Sequence, residues 1–144
     1  MLSTIEKVII LKTVGIFAET PDEALTEIAT ILQEVNNKAG ENIFEKGDVG
    51  TSMYIIVHGK VRIHDGDNTL NHLGENDVFG ELALLDPEPR IASVSAIEDT
   101  HLFKLEQEPF YDLMTDRGEV ARGIIRTLVR SLRARARELQ ELKT

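Results

Sequence analysis

The chain has 144 residues, 16 Lys or Arg against 25 Asp or Glu, a formal net charge of −9, and neither Cys nor Trp. That length suits one domain. The missing cysteines exclude disulfides, thiol nucleophiles and Cys-ligated zinc or iron–sulfur sites, and the acidic total opposes unspecific attraction to DNA or anionic lipid.

The charge is unevenly spread. Residues 117–144 carry eight basic and three acidic side chains, a balance of +5, which leaves residues 1–116 at −14. Near the start the longest apolar run, Val8-Ile9-Ile10-Leu11, falls far short of the ~20 residues that span a bilayer. No basic n-region with an apolar core and a cleavage site is present. The expectation is a soluble protein of a reducing, cytoplasmic compartment.

The first 38 residues read as an N-terminal helical segment. Ile5, Val8 and Ile9 mark a weak helix, and Val14-Gly15-Ile16-Phe17 a turn that packs down on the core. Thr20-Pro21-Asp22-Glu23 has the form of a capping box with Pro at the first helical position. Leu25, Ile28, Ala29 and Leu32 then form an apolar stripe at i, i+3, i+4, i+7, with helix expected to about Asn37.

Residues 39–105 change period. Ile43-Phe44, Met53–Val57, Lys60–Ile63, Val78-Phe79, Ile91–Ala96 and Thr100–Leu105 are short runs rich in β-branched and aromatic residues. Gly47-Asp48, His58-Gly59, Asp65-Gly66-Asp67-Asn68 and Gly74-Glu75-Asn76-Asp77 separate them as turns. Asp65-Gly66 suits a hairpin tip, because Gly accepts the positive φ of a tight turn. Many short strands at regular spacing predict an antiparallel β jelly roll (a double-stranded β-helix). Residues 106–144 return to helix. Pro109 opens a short one carrying Phe110, Leu113 and Met114, and Asp116–Glu119 restarts a longer one to about Leu142. There Val120, Ile124, Leu128 and Leu132 form a stripe continued by Leu139 and Leu142, with Arg122, Arg126, Arg130, Arg133, Arg135 and Arg137 mainly elsewhere around it. The fold class is mainly β with flanking helices, in a single domain spanning residues 1–144.

The chemistry lies in residues 79–94. One helical turn, Glu81 to Leu85, interrupts the β pattern, started at Gly80 and stopped by Pro87 and Pro89. A short helix leaves its first amides unpaired, so Glu81, Leu82 and Ala83 can present N–H groups to an anion. Gly80 admits a ligand close to the backbone. The prolines stiffen the return and put Arg90 at the head of the next strand, where a guanidinium could complete a phosphate cradle. Glu81 would accept a sugar hydroxyl. An Arg90–Glu81 or Arg90–Glu88 ion pair that merely holds the loop explains the same residues.

This segment, Phe79-Gly80-Glu81-Leu82-Ala83-Leu84-Leu85, a spacer, then Pro89-Arg90-Ile91-Ala92-Ser93-Val94, resembles the phosphate-binding cassette of the cyclic-nucleotide-binding domain family. Ile43–Asp48, Met53–Val61, Leu73-Gly74 and Asp77–Phe79 are similar to the family's strands leading into it, and the likeness covers about residues 10–142. The resemblance implies that Arg90 and the amides near Ala83 and Ala92 hold a cyclic phosphate, while Glu81 and the Gly80 amide hold the ribose 2′-hydroxyl. Ile91 departs from the Ala, Ser or Thr of many members; the missing hydroxyl favours cyclic AMP over cyclic GMP, and a bulky side chain pointing inward would crowd the pocket. Ligand-binding candidates are therefore Gly80, Glu81, Leu82, Ala83, Arg90, Ile91 and Ala92.

Other candidates weigh less. His58, His64, His72 and His101 lack the His-x-His and downstream Glu of a cupin-type metal site and read as surface or satisfied histidines, and Asp65–Asn68 is too short for a calcium loop. No metal and no cofactor beyond the nucleotide ligand is expected. No Ser-His-Asp arrangement, P-loop or dinucleotide fingerprint stands out, so no enzymatic role is assigned. The Arg-rich helix lacks a following helix-turn-helix reader, so it reads as a lid and relay that packs on the roll or on a second copy rather than on nucleic acid. The expectation is a bacterial-type regulatory domain that passes ligand binding through its C-terminal helix to a fused or separate effector. The alternative is a degenerate relative that binds no nucleotide and serves as an interaction or oligomerisation module.

Overall fold

The computed structural model describes residues 2–143. The chain forms two compact units: one of residues 1–30 and 111–144, the other of residues 31–110.

In the helical unit, α1 (Thr4–Lys12) is opened by a capping box that the sequence reading missed: Glu6 N donates to Ser3 Oγ, and Ser3 N donates to Glu6 Oε1. A 3-10 turn, Gly15–Phe17, buries Ile16 and Phe17, as expected. Helix α2 (Asp22–Ile31) buries Ala24, Leu25, Ile28 and Ala29. The Thr20 capping box does not form: Thr20 Oγ1 is buried without a hydrogen-bond partner among the described residues. Helix α2 also stops earlier than the expected Asn37, because Gln33–Asn37 is the strand β1. Its backbone groups are satisfied by an antiparallel ladder far along the chain, a partner no local pattern reveals.

The β unit runs β1, β2 (Asn42–Phe44), β3 (Val49–Gly50), β4 (Ser52–His58), β5 (Val61–Asp65), β6 (Asn68–Leu73), β7 (Val78–Phe79), α3 (Glu81–Leu85), β8 (Glu88–Pro89), β9 (Ser93–Ala96) and β10 (Thr100–Glu106). Two four-stranded sheets, β1-β10-β4-β7 and β2-β9-β5-β6, and a small β3-β8 pair make up the predicted jelly roll. Between the sheets pack Tyr54, Ile56, Val61, Phe79, Val94 and Leu102. Strand β6 is absent from the sequence reading, because its six residues are almost all exposed and lack the alternation of a half-buried strand. It is nonetheless held to β5 across Gly66-Asp67, with Asp65 opposite Asn68 and Gly66 at φ +57°.

Helix α4 (Gln107–Asp116) buries Phe110, and α5 (Gly118–Lys143) buries Val120, Gly123 and Ile124. Within the helical unit α5 packs on the 3-10 turn, so closely at Gly123 that a Cβ there would lie 2.9 Å from Glu19 O. Arg117 pairs with Glu27 and Glu119, and Arg130 with Glu19. The apolar stripe expected on α5 therefore divides. Val120 and Ile124 are buried, while Leu128, Leu132, Leu139 and Leu142 are exposed together with Ile125.

Gly59 turns β4 into β5 at φ +109°, and a Cβ on it would meet Thr100 Cα at 2.7 Å and Asp99 O at 2.8 Å. Both neighbours are backbone, so neither can yield cheaply. Gly59→Ala is expected to lose at least about 2 kcal/mol of stability, read as a lower urea midpoint at unchanged slope.

Candidate functional site

Helix α3 occupies the expected bounds, Glu81–Leu85, and its cap Gly80 sits in the left-handed region at φ +74°. Among the described residues no side chain caps it, which leaves its first amides open to water or a ligand. The prolines shape the return as expected, and β8 pairs with β3, placing Val49 opposite Pro89 and Gly50 opposite Glu88. This pairing corrects one expectation. Arg90 does not head the next strand, which begins at Ser93. It prolongs the β8 ladder instead: Arg90 N donates to Asp48 O (2.7 Å) and Gly47 N donates to Arg90 O (2.8 Å).

The Arg90 side chain turns inward over the roll. Its Nη2 donates to Ser52 O (2.8 Å), and its Cζ stands 4.1 Å from the centre of the Phe44 ring. A Cβ on Gly50 would lie 2.4 Å from Nε, and one on Gly80 2.6 Å from Nη1. Two glycines thus make the slot the guanidinium fills. Among the described residues Arg90 forms no ion pair, with Glu81, Glu88 or any other carboxylate, and Ser52 O is its one side-chain hydrogen-bond acceptor. The loop is therefore not held by the ion pair that the sequence left open. Burial depresses the guanidinium's pKa, partly offset by Tyr54, Glu106 and Asp48. An arginine stays charged regardless. A half-buried cation with several unfilled donors is the electrostatic requirement of an anion site.

Glu81 is half-buried, and among the described residues no hydrogen bond or ion pair engages its carboxylate. Burial pushes its pKa above the ordinary carboxylate value. Leu82, Ala83, Leu85, Pro89, Arg90 and Ile91 line a cleft of about 380 Å³, within the size range of small-ligand pockets. Ile91 is 89% exposed, so its bulk points to solvent. Ala92 is buried, and Ser93 Oγ accepts from Lys46 N (2.9 Å), tying the end of the segment to the turn before β3. Gly80, Glu81, Leu82, Ala83 and Ile91 thus lie around Arg90 and the start of α3, with Ala92 following directly.

What the sequence reading missed is the support for Arg90, namely Gly50 and the Ser52 carbonyl. Gly50 sits in a short Gly-containing run like any turn, and its role depends on the β3–β8 pairing across some 40 residues. Elsewhere three of the four histidines are engaged, His64 with Gly66 O and Ser95 Oγ, His58 with Glu75 and His101 with Glu34, while His72 is exposed. Among the described residues no group of three or more His, Cys, Asp or Glu is placed to hold a metal, and no helix is long and apolar enough to cross a membrane.

Residues 34–117 match the sequence profile described as "Cyclic nucleotide-binding domain". The chain belongs to the cyclic-nucleotide-binding domain family. It is 33% identical over 138 residues to a CRP-like cAMP-activated global transcriptional regulator of Mycobacterium tuberculosis, covering 92% of this chain and 62% of that protein. It is 40% identical over 108 residues to the cyclic AMP receptor protein of Thermus thermophilus, covering 72% and 50%. The crystal structure of the N-terminal domain of a transcriptional regulator from Streptomyces coelicolor A3(2) superimposes with a TM-score of 0.82 at 31% identity, over 90% of this chain and 93% of that one. The chain thus spans between half and two thirds of the length of these two regulators.

The unpaired, half-buried Glu81 makes a pH prediction. With its pKa raised by burial, the folded state holds the proton more tightly than the unfolded one. The stability this group supplies is complete below the ordinary value of 4.5 and is lost as pH rises through the elevated folded value. Glu81→Gln is therefore expected to raise the denaturation midpoint at neutral pH, with the gain vanishing below the ordinary carboxylate range. A midpoint unchanged at neutral pH would contradict it.

Proposed function

We propose that this domain is a cytoplasmic cyclic-nucleotide sensor that takes cyclic AMP in preference to cyclic GMP and passes its ligand state through α5 to a fused or separate effector. The observation that carries the reading is Arg90, a half-buried guanidinium seated between two glycines with no carboxylate partner among the described residues. In this reading Arg90 and the amides at Ala83 and Ala92 take the cyclic phosphate, Glu81 and the Gly80 amide take the ribose hydroxyl, and Leu82 and Ile91 edge the cleft. Both relatives described above carry cyclic AMP in their names, and Ile91 offers no hydroxyl to a guanine, which supports the same preference. Ile91 was also the one feature favouring a domain without ligand. Its largely exposed side chain, at the edge of the cleft, supports an uncrowded pocket and weighs against that alternative.

The action is a population shift. The nucleotide stabilises the conformations in which the first amides of α3 and the Arg90 donors converge, and it acts as a switch only if it binds one state better than another. Moving such an equilibrium from 1:99 to 99:1 takes about 5.5 kcal/mol of differential affinity. No catalytic step is assigned to any residue, and no nucleic acid is assigned as a direct partner.

Calorimetry with cyclic AMP and cyclic GMP tests the site. Wild type is expected to bind cyclic AMP more tightly, and Arg90→Ala to lose at least about 2 kcal/mol, near 30-fold, as a charge-assisted phosphate contact disappears. Absence of both heat and thermal shift with either nucleotide would sink the reading and leave the interaction-module alternative.

The exposed stripe on α5 supports a second copy as partner. Ile125, Leu128, Leu132, Leu139 and Leu142 fall at heptad a and d positions, interrupted by Arg135 at one d. Leu132 is 68% exposed, so Leu132→Glu is expected to leave the fold intact and convert a dimer to monomer in sedimentation velocity. Equal sedimentation of the two proteins would refute the seam.

A further inference from the structure

A third face of α5 is neither buried nor apolar. Arg122, Arg126, Arg130, Arg133 and Arg137 fall within an arc of about 80° at 100° per residue, and they extend along roughly 22 Å of helix axis. All five are exposed. Arg130 meets Glu19, and the other four form no ion pair among the described residues. Their side of the helix is turned away from the Ile125–Leu132–Leu139 stripe, so covering that stripe leaves the ridge free.

We propose that this arginine ridge is a docking surface for an acidic polypeptide segment, a helix carrying Glu or Asp at i, i+4, i+7 and i+11. Charge complementarity is the first argument: five fixed cations at helical spacing face no equal set of anions in their own element, where the acidic residues are Glu119, Glu138 and Glu141. The second argument is the chemistry already in use along this part of the chain. The two nearby arginines that do have ion-pair partners, Arg117 and Arg130, take carboxylates: Arg117 reaches Glu27 through Nε and Nη2 and Glu119 through Nη1, and Arg130 reaches Glu19 through Nη1. A lipid surface fits less well, because α5 carries no aromatic residue to seat in an interface and Arg135 interrupts its apolar stripe. Nucleic acid, a polyanion of far higher charge density than a segment of four carboxylates, meets more repulsion from the −14 balance of residues 1–116 and is an outcome of the test.

The test is fluorescence anisotropy on the full chain. The probes are a labelled Ala-based helical peptide bearing Glu at i, i+4, i+7 and i+11, its Gln counterpart, duplex DNA, and vesicles of phosphatidylcholine with phosphatidylserine. The variant is R126A/R133A/R137A, which spares the Glu19-paired Arg130 and favours helix; circular dichroism confirms its helicity. The expected result is salt-sensitive binding of the Glu peptide, no binding of the Gln peptide, and at least about a tenfold loss in the triple variant, from three exposed ion pairs. The proposal is overturned if the Glu peptide fails to bind at low salt or binds the variant equally well. Tighter binding of DNA or vesicles than of the Glu peptide also overturns it and assigns the ridge to that polyanion.

Discussion

The cassette depends on a side chain that fits only because two others are missing. The Arg90 guanidinium fills the space where Cβ atoms on Gly50 and Gly80 would stand, 2.4 Å from Nε and 2.6 Å from Nη1. Each contact comes from a different element. Gly50 belongs to the β3–β8 pair, Gly80 caps α3, the Ser52 carbonyl opens β4, and Phe44 ends β2. Aligning them requires the roll to be formed first, so the site is a consequence of tertiary structure. Among the described residues most of the guanidinium's donors have no acceptor, and unmet donors in a half-buried position are costly unless an anion or water meets them.

Electrostatics sharpen the role of that one cation. A body at −14 repels a nucleotide phosphate at long range, so attraction must be local and short, from fixed dipoles and a single guanidinium. Glu81 adds a carboxylate that its own surroundings disfavour, since burial raises its pKa and no partner among the described residues offsets it. A group held at a cost to folding, with acceptors free, is what a hydroxyl-recognising residue needs. In the proposed reading, stability and recognition compete at this position.

What the sequence showed in advance follows from which signals are local. The α3 bounds were readable because Gly80, Pro87 and Pro89 act on their immediate neighbours, and Gly66 and Gly59 marked turns for the same reason. Strands β1 and β6 were not readable. Gln33-Glu34-Val35-Asn36-Asn37 and Asn68-Thr69-Leu70-Asn71-His72-Leu73 are polar edge strands, whose ladders to β10 and β5 confer structure that their own patterns do not announce. Among the candidate residues, Gly80, Glu81 and Arg90 lie in one segment, residues 80–90, where local signals and the family resemblance single them out. Gly50 was not, because its importance exists only after β3 meets β8. The Thr20 capping signal failed for the opposite reason: a correct local motif was overridden, and its hydroxyl is buried without a partner among the described residues.

Helix α5 shows the same logic extended beyond the site. Its buried residues, Val120, Gly123 and Ile124, all lie in the first two turns of a 26-residue helix, and isolated helices are marginal without tertiary packing. The remaining turns hold together through good helix formers, Leu, Arg, Ala and Glu, yet they carry large apolar side chains in solvent: Leu132 is 68% exposed and Leu142 83%. Solvation alone would not select leucine at those spacings, and it would not gather five arginines onto one arc. The distal half thus presents two separated faces, one apolar and exposed and one cationic, and among the described residues only Arg130 of the five ridge arginines meets a carboxylate. Because the faces point in different directions, occupation of one need not exclude the other. A shift in the position of such a helix would move both surfaces at once.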